Sequence, residues 1–349
     1  MGVQDVRGGP LATPSADRRC PSTRVRLRGR GDARHRRRLG RAHRRAAAAA
    51  GRGRGPGGGG AGAGGGVPGT TGNGRPGRLR RRDGRRGVAG AARGRDQENT
   101  EPRYRGCQQT MDPSDIVTCE LGETKDPGRT VALVGDSHAT HWFSAFDRLG
   151  QEQGWKVVTM TKTSCPLTAA RRVLEEQTDS LQVSCERWVD AVQSTLAASP
   201  DVSEVFVTSY SSAYRWESRP DGPALDDPGP DGFARAWSAL TDAGKPVTVL
   251  SAVPRTLGEN VPSCLAAHPD DPAACSVPRE QALPGDVMQQ AAAGLADPSV
   301  RVVDLSDRFC DDERCYPVVG DVIVYRDYSH LSADYSTLLV PYLVERLGS

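Results

Sequence analysis

Val131-Ala-Leu-Val-Gly-Asp-Ser-His-Ala139 places four apolar residues in a row before a Gly-Asp pair and a serine followed by histidine. A short continuous apolar run closed by a turn signal reads as a buried strand of a parallel sheet, here running straight into a sharp turn and a helix. Ser137 then stands at the carboxyl end of that strand, where open α/β sheets place their ligands. Near the other end of the chain, Asp327-Tyr-Ser-His330 supplies two residue types that can complete a nucleophile, a base and an orienter.

Working outward, further strand-like runs lie at 155–160, 204–209, 246–251 and 300–305. Segments with helical spacing separate them, over 138–154, 181–198, 232–243 and 282–296, and a last helix is expected over 331–347. Gly150 or Gly154 closes the first of these helices, and Gly244 the third. Alternation of this kind predicts an α/β domain with a mostly parallel five-stranded sheet and helices on both faces. Residues 104–125 read as an extended, cysteine-stapled lead-in, 254–282 as a long irregular insert, and 318–325 as a small hairpin around Gly320-Asp321. No internal repeat is visible. Residues 101–349 therefore read as one domain, large enough for a substantial core.

Composition divides the chain sharply. Residues 1–100 hold 25 arginines, no lysine, six acidic residues and no Phe, Trp or Tyr, a formal charge of +19, whereas residues 101–349 carry −16. Such a segment cannot bury enough surface to offset ordering entropy, so disorder is expected. Arginine-rich tails bind phosphates, but the aromatic residues that stack on bases are missing, and no nucleic-acid partner is expected. Out-of-frame reading of a GC-rich gene yields the same composition. No run approaches the roughly 20 apolar residues of a membrane helix, and no apolar h-region of a signal peptide is recognisable.

Eight of the nine cysteines lie after residue 100. Their even number in a domain of this size predicts disulfides and an oxidising, extracytoplasmic compartment. Their clustering favours neighbour pairing: Cys107–Cys119, Cys165–Cys185, Cys264–Cys275 and Cys310–Cys315. No Cys-x-x-Cys is present to favour zinc. An exported domain without an export signal implies that the true N-terminus of the gene product differs from the one given.

The chemistry needs the residue types found. Serine is a weak nucleophile until an adjacent base takes its proton; histidine titrates in the right range; a carboxylate behind it fixes the tautomer and stabilises the imidazolium. Ser137, His330 and Asp327 fill these roles, with no metal or organic cofactor required. Asp136 is expected to fix the turn. His138 either lines the pocket or starts the helix, and His141 is expected to be packed or at the surface. Trp142 is spaced for the core, while Tyr214 and Trp216, in a polar loop, can stack on a sugar. Tyr325 and Arg326 can shape the histidine loop, although Arg326 reads equally well as a surface charge.

Gly135-Asp-Ser-His138 and Asp327-Tyr-Ser-His330-Leu331 resemble the first and last blocks of the SGNH (GDSL-like) hydrolase superfamily. The chain more closely resembles the SGNH domain fused to integral-membrane acyltransferases that modify bacterial envelope polysaccharides. Gly-Asp-Ser-His-Ala, Trp142, Lys162-Thr-Ser-Cys-Pro166, Cys185-x-x-Trp188 and Val324-Tyr-Arg-Asp327 carry that likeness, over roughly residues 104–347. The resemblance implies a three-layer, flavodoxin-like α/β/α sandwich and a Ser137–His330–Asp327 triad. It further implies an acylated donor, a glycan acceptor and a membrane acyltransferase, in this or another chain, that supplies the acyl group.

The superfamily's oxyanion hole adds a glycine after the second strand and an asparagine after the third. Thr208-Ser-Tyr-Ser-Ser-Ala-Tyr214 has no asparagine. The Ser137 N–H can donate; Ser164, Ser209, Tyr210, His138 and Trp216 are the remaining candidates for oxyanion or substrate contacts. O-acylation of an envelope glycan is the favoured reading. An esterase that delivers the acyl group to water, and a catalytically weak glycan-binding module, are its rivals.

Overall fold

The computed structural model describes residues 101–174 and 178–348. The expectations for residues 1–100, disorder and Cys20 among them, fall outside the described residues.

Two strands, β1 (Gln108–Gln109) and β2 (Thr118–Gly122), form the lead-in. The first parallel unit follows as β3 (Arg129–Gly135), α1 (Ser137–Thr140), α2 (Phe143–Gln153) and β4 (Trp155–Lys162). Next come β5 (Arg171–Val173), α3 (Asp179–Ala198), β6 (Val202–Thr208), β7 (Arg215–Glu217), α4 (Pro228–Asp242) and β8 (Val247–Leu250). The insert contains α5 (Val261–Ala267), β9 (Val277–Pro278) and α6 (Arg279–Ala282), followed by α7 (Val287–Leu295) and β10 (Val300–Val303). The chain continues through α8 (Ser306–Phe309), β11 (Arg314–Cys315), the hairpin β12 (Val318–Val319) and β13 (Val322–Ile323), α9 (Ala333–Leu338) and α10 (Val340–Leu347).

The main sheet runs β1-β4-β3-β6-β8-β10, with β2 antiparallel to β4. Its five long parallel strands are those expected from the apolar runs, and the lead-in adds two more along the outer edge of β4. In β3, Val131 and Leu133 enter one core cluster, Ala132 and Val134 the other. That two-residue alternation with apolar groups on both sides explains the unbroken run. Phe143, Phe146 and Leu149 of α2 join Tyr335 and Leu343 on one face, and Trp188, Phe233, Trp237 and Met288 of α3, α4 and α7 cover the other.

Three expected helices are interrupted. His141 and Trp142 separate α1 from α2, which lets Trp142 and Phe143 both bury. Pro284 falls inside the run expected over 282–296, and the helix restarts at α7 with Asp286 as its cap. Pro341, in the first turn of α10, lacks the N–H needed to continue α9. Gly154 ends α2 in a left-handed conformation that glycine adopts without a Cβ penalty.

The four disulfides join Cys107 to Cys119, Cys165 to Cys185, Cys264 to Cys275 and Cys310 to Cys315. Near the amino ends of the strands, buried Glu204 of β6 accepts from Arg129 (2.6 Å), Arg301 (2.7 Å) and the Thr248 hydroxyl.

Candidate active site

Gly135 makes the turn after β3 possible. A Cβ there would lie 1.9 Å from the Thr208 carbonyl oxygen, so only glycine fits. The next residue, Asp136, is fully buried and caps α1, its Oδ1 accepting from the His138 N–H at 2.8 Å. Its Oδ2 accepts from the Tyr210 N–H at 2.9 Å and the Tyr214 hydroxyl at 2.7 Å. The carboxylate thus ties the serine turn to the loop after β6, across 74 and 78 residues of sequence. Burial raises its pKa, and the hydrogen bonds from Tyr214, His138 and Tyr210 work against that rise.

The second half of the site is a short loop closed on itself. Asp327 Oδ1 accepts from the N–H groups of Ser329 and His330, both at 2.8 Å, and the Arg326 N–H donates to the His330 carbonyl at 3.0 Å. The Tyr325 hydroxyl donates to the Pro254 carbonyl at 3.0 Å, which ties the loop to the insert. These bonds give Tyr325 and Arg326 the loop-shaping places expected of them. The Arg326 Nε also stands 3.7 Å from Asp327 Oδ2.

His330 bridges the two halves. Its Nδ1 lies 2.8 Å from Asp327 Oδ2, and its Nε2 lies 2.8 Å from Ser137 Oγ. Burial raises the Asp327 carboxyl, but the hydrogen bond and charge of His330, with the two backbone donors, bring it down to about 2. Asp327 is therefore ionised at neutral pH and can only accept. The His330 Nδ1 must carry the proton, which leaves the Nε2 lone pair free to accept from the Ser137 hydroxyl. This is the arrangement a serine nucleophile requires.

Around this line stand further rings. His138 is 1% exposed and stacks on Tyr210, centroids 4.3 Å apart and planes 6° from parallel. His138 and His141 lie 5.0 and 6.2 Å from the His330 ring. Burial pushes the pKa of both well below the usual histidine value, so both are neutral at physiological pH. His141 Nδ1 accepts from the Leu331 N–H at 3.4 Å, a packed rather than surface position. The structure gives no hydrogen-bond partner to either ring nitrogen of His138 or to His141 Nε2.

The other sequence candidates divide. Ser164, two residues after β4, adopts a left-handed conformation (φ +51°). The flanking Thr163 and Cys165 N–H groups donate to Gln109 and Lys162 carbonyls, whereas none of the described hydrogen bonds uses the Ser164 N–H. The Tyr210 N–H is engaged by Asp136, and the buried Ser209 hydroxyl contacts the Met288 sulfur at 3.4 Å. Trp216 belongs to β7, paired with β5, and its ring packs on Tyr214 and Phe233 rather than standing in a loop. Trp142 is buried, as its spacing predicted.

For two residues named from the sequence, the structural role escaped sequence reasoning. Tyr214 anchors Asp136 through its hydroxyl, and nothing local to 208–214 signals that. Lys162, the last residue of β4, is wholly buried and donates to the carbonyls of Thr110 (2.7 Å), Met111 (2.7 Å) and Pro113 (2.6 Å). Burial, with Arg172 nearby, draws its pKa down to about 8. A lysine ending an apolar strand was the available signal, since a buried cation needs acceptors. Among the described residues no group of three or more His, Cys, Asp or Glu side chains is placed to hold a metal ion, and no helix is long and apolar enough to cross a membrane.

Comparison with known proteins adds the following. No curated protein matches the chain. Among solved structures it is similar to the periplasmic domain of a Salmonella ser. Paratyphi A lipopolysaccharide acetyltransferase, at 12% identity and a TM-score of 0.46, over 71% of this chain and 93% of that one. The family model described as "SGNH domain (fused to AT3 domains)" matches residues 106–345. With its sheet, its serine turn and its histidine loop all inside that match, the chain belongs to the family of SGNH domains fused to AT3 domains.

Proposed function

We propose that the protein is a serine acyltransferase that moves an acyl group, acetyl by the family likeness, onto a hydroxyl of a cell-envelope glycan. The observation that carries this reading is His330 standing 2.8 Å from both Ser137 Oγ and Asp327. His330 Nε2 takes the hydroxyl proton as Ser137 Oγ bonds to the acyl carbon, and the imidazolium returns that proton to the leaving group of the donor. In the second half, His330 deprotonates the acceptor hydroxyl, whose oxygen attacks the acyl carbon. Ser137 Oγ leaves and is reprotonated, so the cycle balances without a cofactor.

The tetrahedral oxyanion needs donors. The Ser137 N–H is one, and the Ser164 N–H is the second in this proposal, because its neighbours are already engaged. The family's fusion to AT3 domains supports a membrane acyltransferase, in this or another chain, as the source of the acyl group. Four disulfides support an extracytoplasmic location.

The test uses the full chain with p-nitrophenyl acetate. A burst of nitrophenolate with acetate added to the Ser137 peptide is expected, and none in Ser137→Ala. An acyl-enzyme that persists in Ser137→Ala would overturn the assignment. Partition of the acyl group between added glycan and water then separates the transferase from the esterase reading.

A further inference from the structure

A cavity of about 490 Å³ opens beside the carboxyl ends of β8 and β10, and none of Ser137, Asp327 and His330 lines it. That volume lies within the roughly 300–1,000 Å³ of small-molecule sites. Ser212, Arg255, Arg279 and Gln289 line it with hydroxyl, guanidinium and carboxamide groups, and the exposed carboxylates of Glu280, Asp304, Asp312 and Glu313 outnumber the two guanidiniums. This mixture of donors and acceptors suits neighbouring hydroxyls better than a hydrophobic ligand.

The cavity is joined to the active site through Arg255 and Thr256. Arg255 lines the cavity, and its guanidinium charge acts on Tyr210, whose ring stacks on His138. The Thr256 hydroxyl donates to the Tyr328 carbonyl. Leu257, 49% exposed, follows in a left-handed conformation (φ +57°). Tyr328 itself is 53% exposed, with its ring centroid 6.4 Å from that of His330.

An exposed aromatic side chain on its own requires no explanation. Tyr328 differs because its loop is fixed on both sides, by the Asp327 carboxylate and by Thr256. A ring carried on a fixed loop and open to solvent beside His330 offers a stacking face for the C–H surface of a pyranose.

We infer that the acceptor glycan binds across Tyr328 and the Arg255 cavity, the sugar to be acylated stacking on Tyr328 and its neighbour in the chain filling the cavity. The ligand class is a hydroxyl-rich oligosaccharide that is neutral or amine-bearing, because the carboxylates at the cavity repel an anionic sugar. The inference rests on the acyl-transfer reading for its biological sense, but its binding test does not.

The test titrates the full chain with tetra-N-acetylchitotetraose and, separately, with trigalacturonate. The neutral probe is expected to bind and the anionic one to bind more weakly. Tyr328→Ala weakens the neutral probe by up to about tenfold, the scale of one lost ring-stacking contact, while Tyr328→Trp retains it. Glu280→Trp, which sets an indole at the cavity from an exposed position, weakens it independently. Absence of wild-type binding at millimolar probe, tighter binding of the anionic probe, or wild-type binding in both Tyr328→Ala and Glu280→Trp would overturn the subsite.

A second readout is the partition of acyl-Ser137 between tetrasaccharide and water, which shifts toward water in Tyr328→Ala. If no acyl-Ser137 forms yet the titrations follow the expected order, the acyl-transfer reading falls and the subsite stands. If acyl-Ser137 forms and the titrations do not discriminate, the subsite falls and the triad stands.

Discussion

At the amino ends of the strands, buried Glu204 meets two arginines and a hydroxyl, so its charge is fully answered. At the carboxyl ends, buried His138 and His141 leave three ring nitrogens without a hydrogen-bond partner, within reach of a serine, a third histidine and an aspartate. The same sheet holds both. An uncompensated buried polar atom costs free energy that a compensated one does not. Tolerating that cost in three ring nitrogens beside Ser137 and His330 marks a place where the fold gives up stability to hold side chains in a set arrangement.

The contrast predicts that substitutions at the two ends fail in different currencies. Asp327→Asn, which cannot enforce the required histidine tautomer, should lower turnover of a p-nitrophenyl ester by about 10⁴-fold, with little change in melting temperature. A large loss of stability with turnover kept would break the comparison. Glu204→Ala, at the opposite end, removes the carboxylate that Arg129 and Arg301 share. It should cost about 1 kcal/mol in denaturant unfolding, because both guanidiniums are part-exposed and solvent replaces much of the lost pairing. Activity per folded molecule should be unchanged, and a loss of turnover at constant stability would show that the ends are not independent.

A more diagnostic effect lies in the pH dependence. His138 and His141 have folded-state pKa values well below the ordinary 6.5, because burial opposes their charged form. Below that value the unfolded chain takes up protons that the folded one refuses, so stability is complete above it and falls as pH drops. The slope is at most about 1.4 kcal/mol per pH unit for each histidine. The Asp327 carboxyl is also lowered, to about 2, but because its charged form is favoured, so its stabilisation disappears only as pH falls from about 4 through 2. Melting temperatures between pH 7.5 and 4.5 should therefore decline less steeply in His138→Phe than in the native protein. Equal slopes would mean that His138 takes up a proton in the folded state.

Much of this was legible in the sequence, for reasons that also set the limit. The central strand β3 announces itself because a strand buried on both faces has no polar position to interrupt it, as Val131 to Val134 illustrate. Ser137, Asp327 and His330 could be found because a strand end and a helix start fix where a side chain emerges. Cysteines separated by 5 to 20 residues could be paired because short loops leave few alternatives. Hidden were the links between distant polar residues: β5 with β7, Tyr214 with Asp136, Lys162 with three carbonyls. Neither periodicity nor turn chemistry encodes a hydrogen bond across 78 residues. The helix breaks at His141–Trp142 and Leu339 were missed because apolar spacing continued through them.

The Cys107–Cys119 bond has a mechanical consequence. Tension applied to the chain ahead of Cys107 crosses the disulfide and enters β2 at Cys119, the second of its five pairs with β4. Residues 108–118, including β1 and the carbonyls that hold Lys162, lie inside the closed loop and carry none of that load. A domain tethered through its N-terminal side can thus be pulled while the strand end leading to Ser164 stays slack.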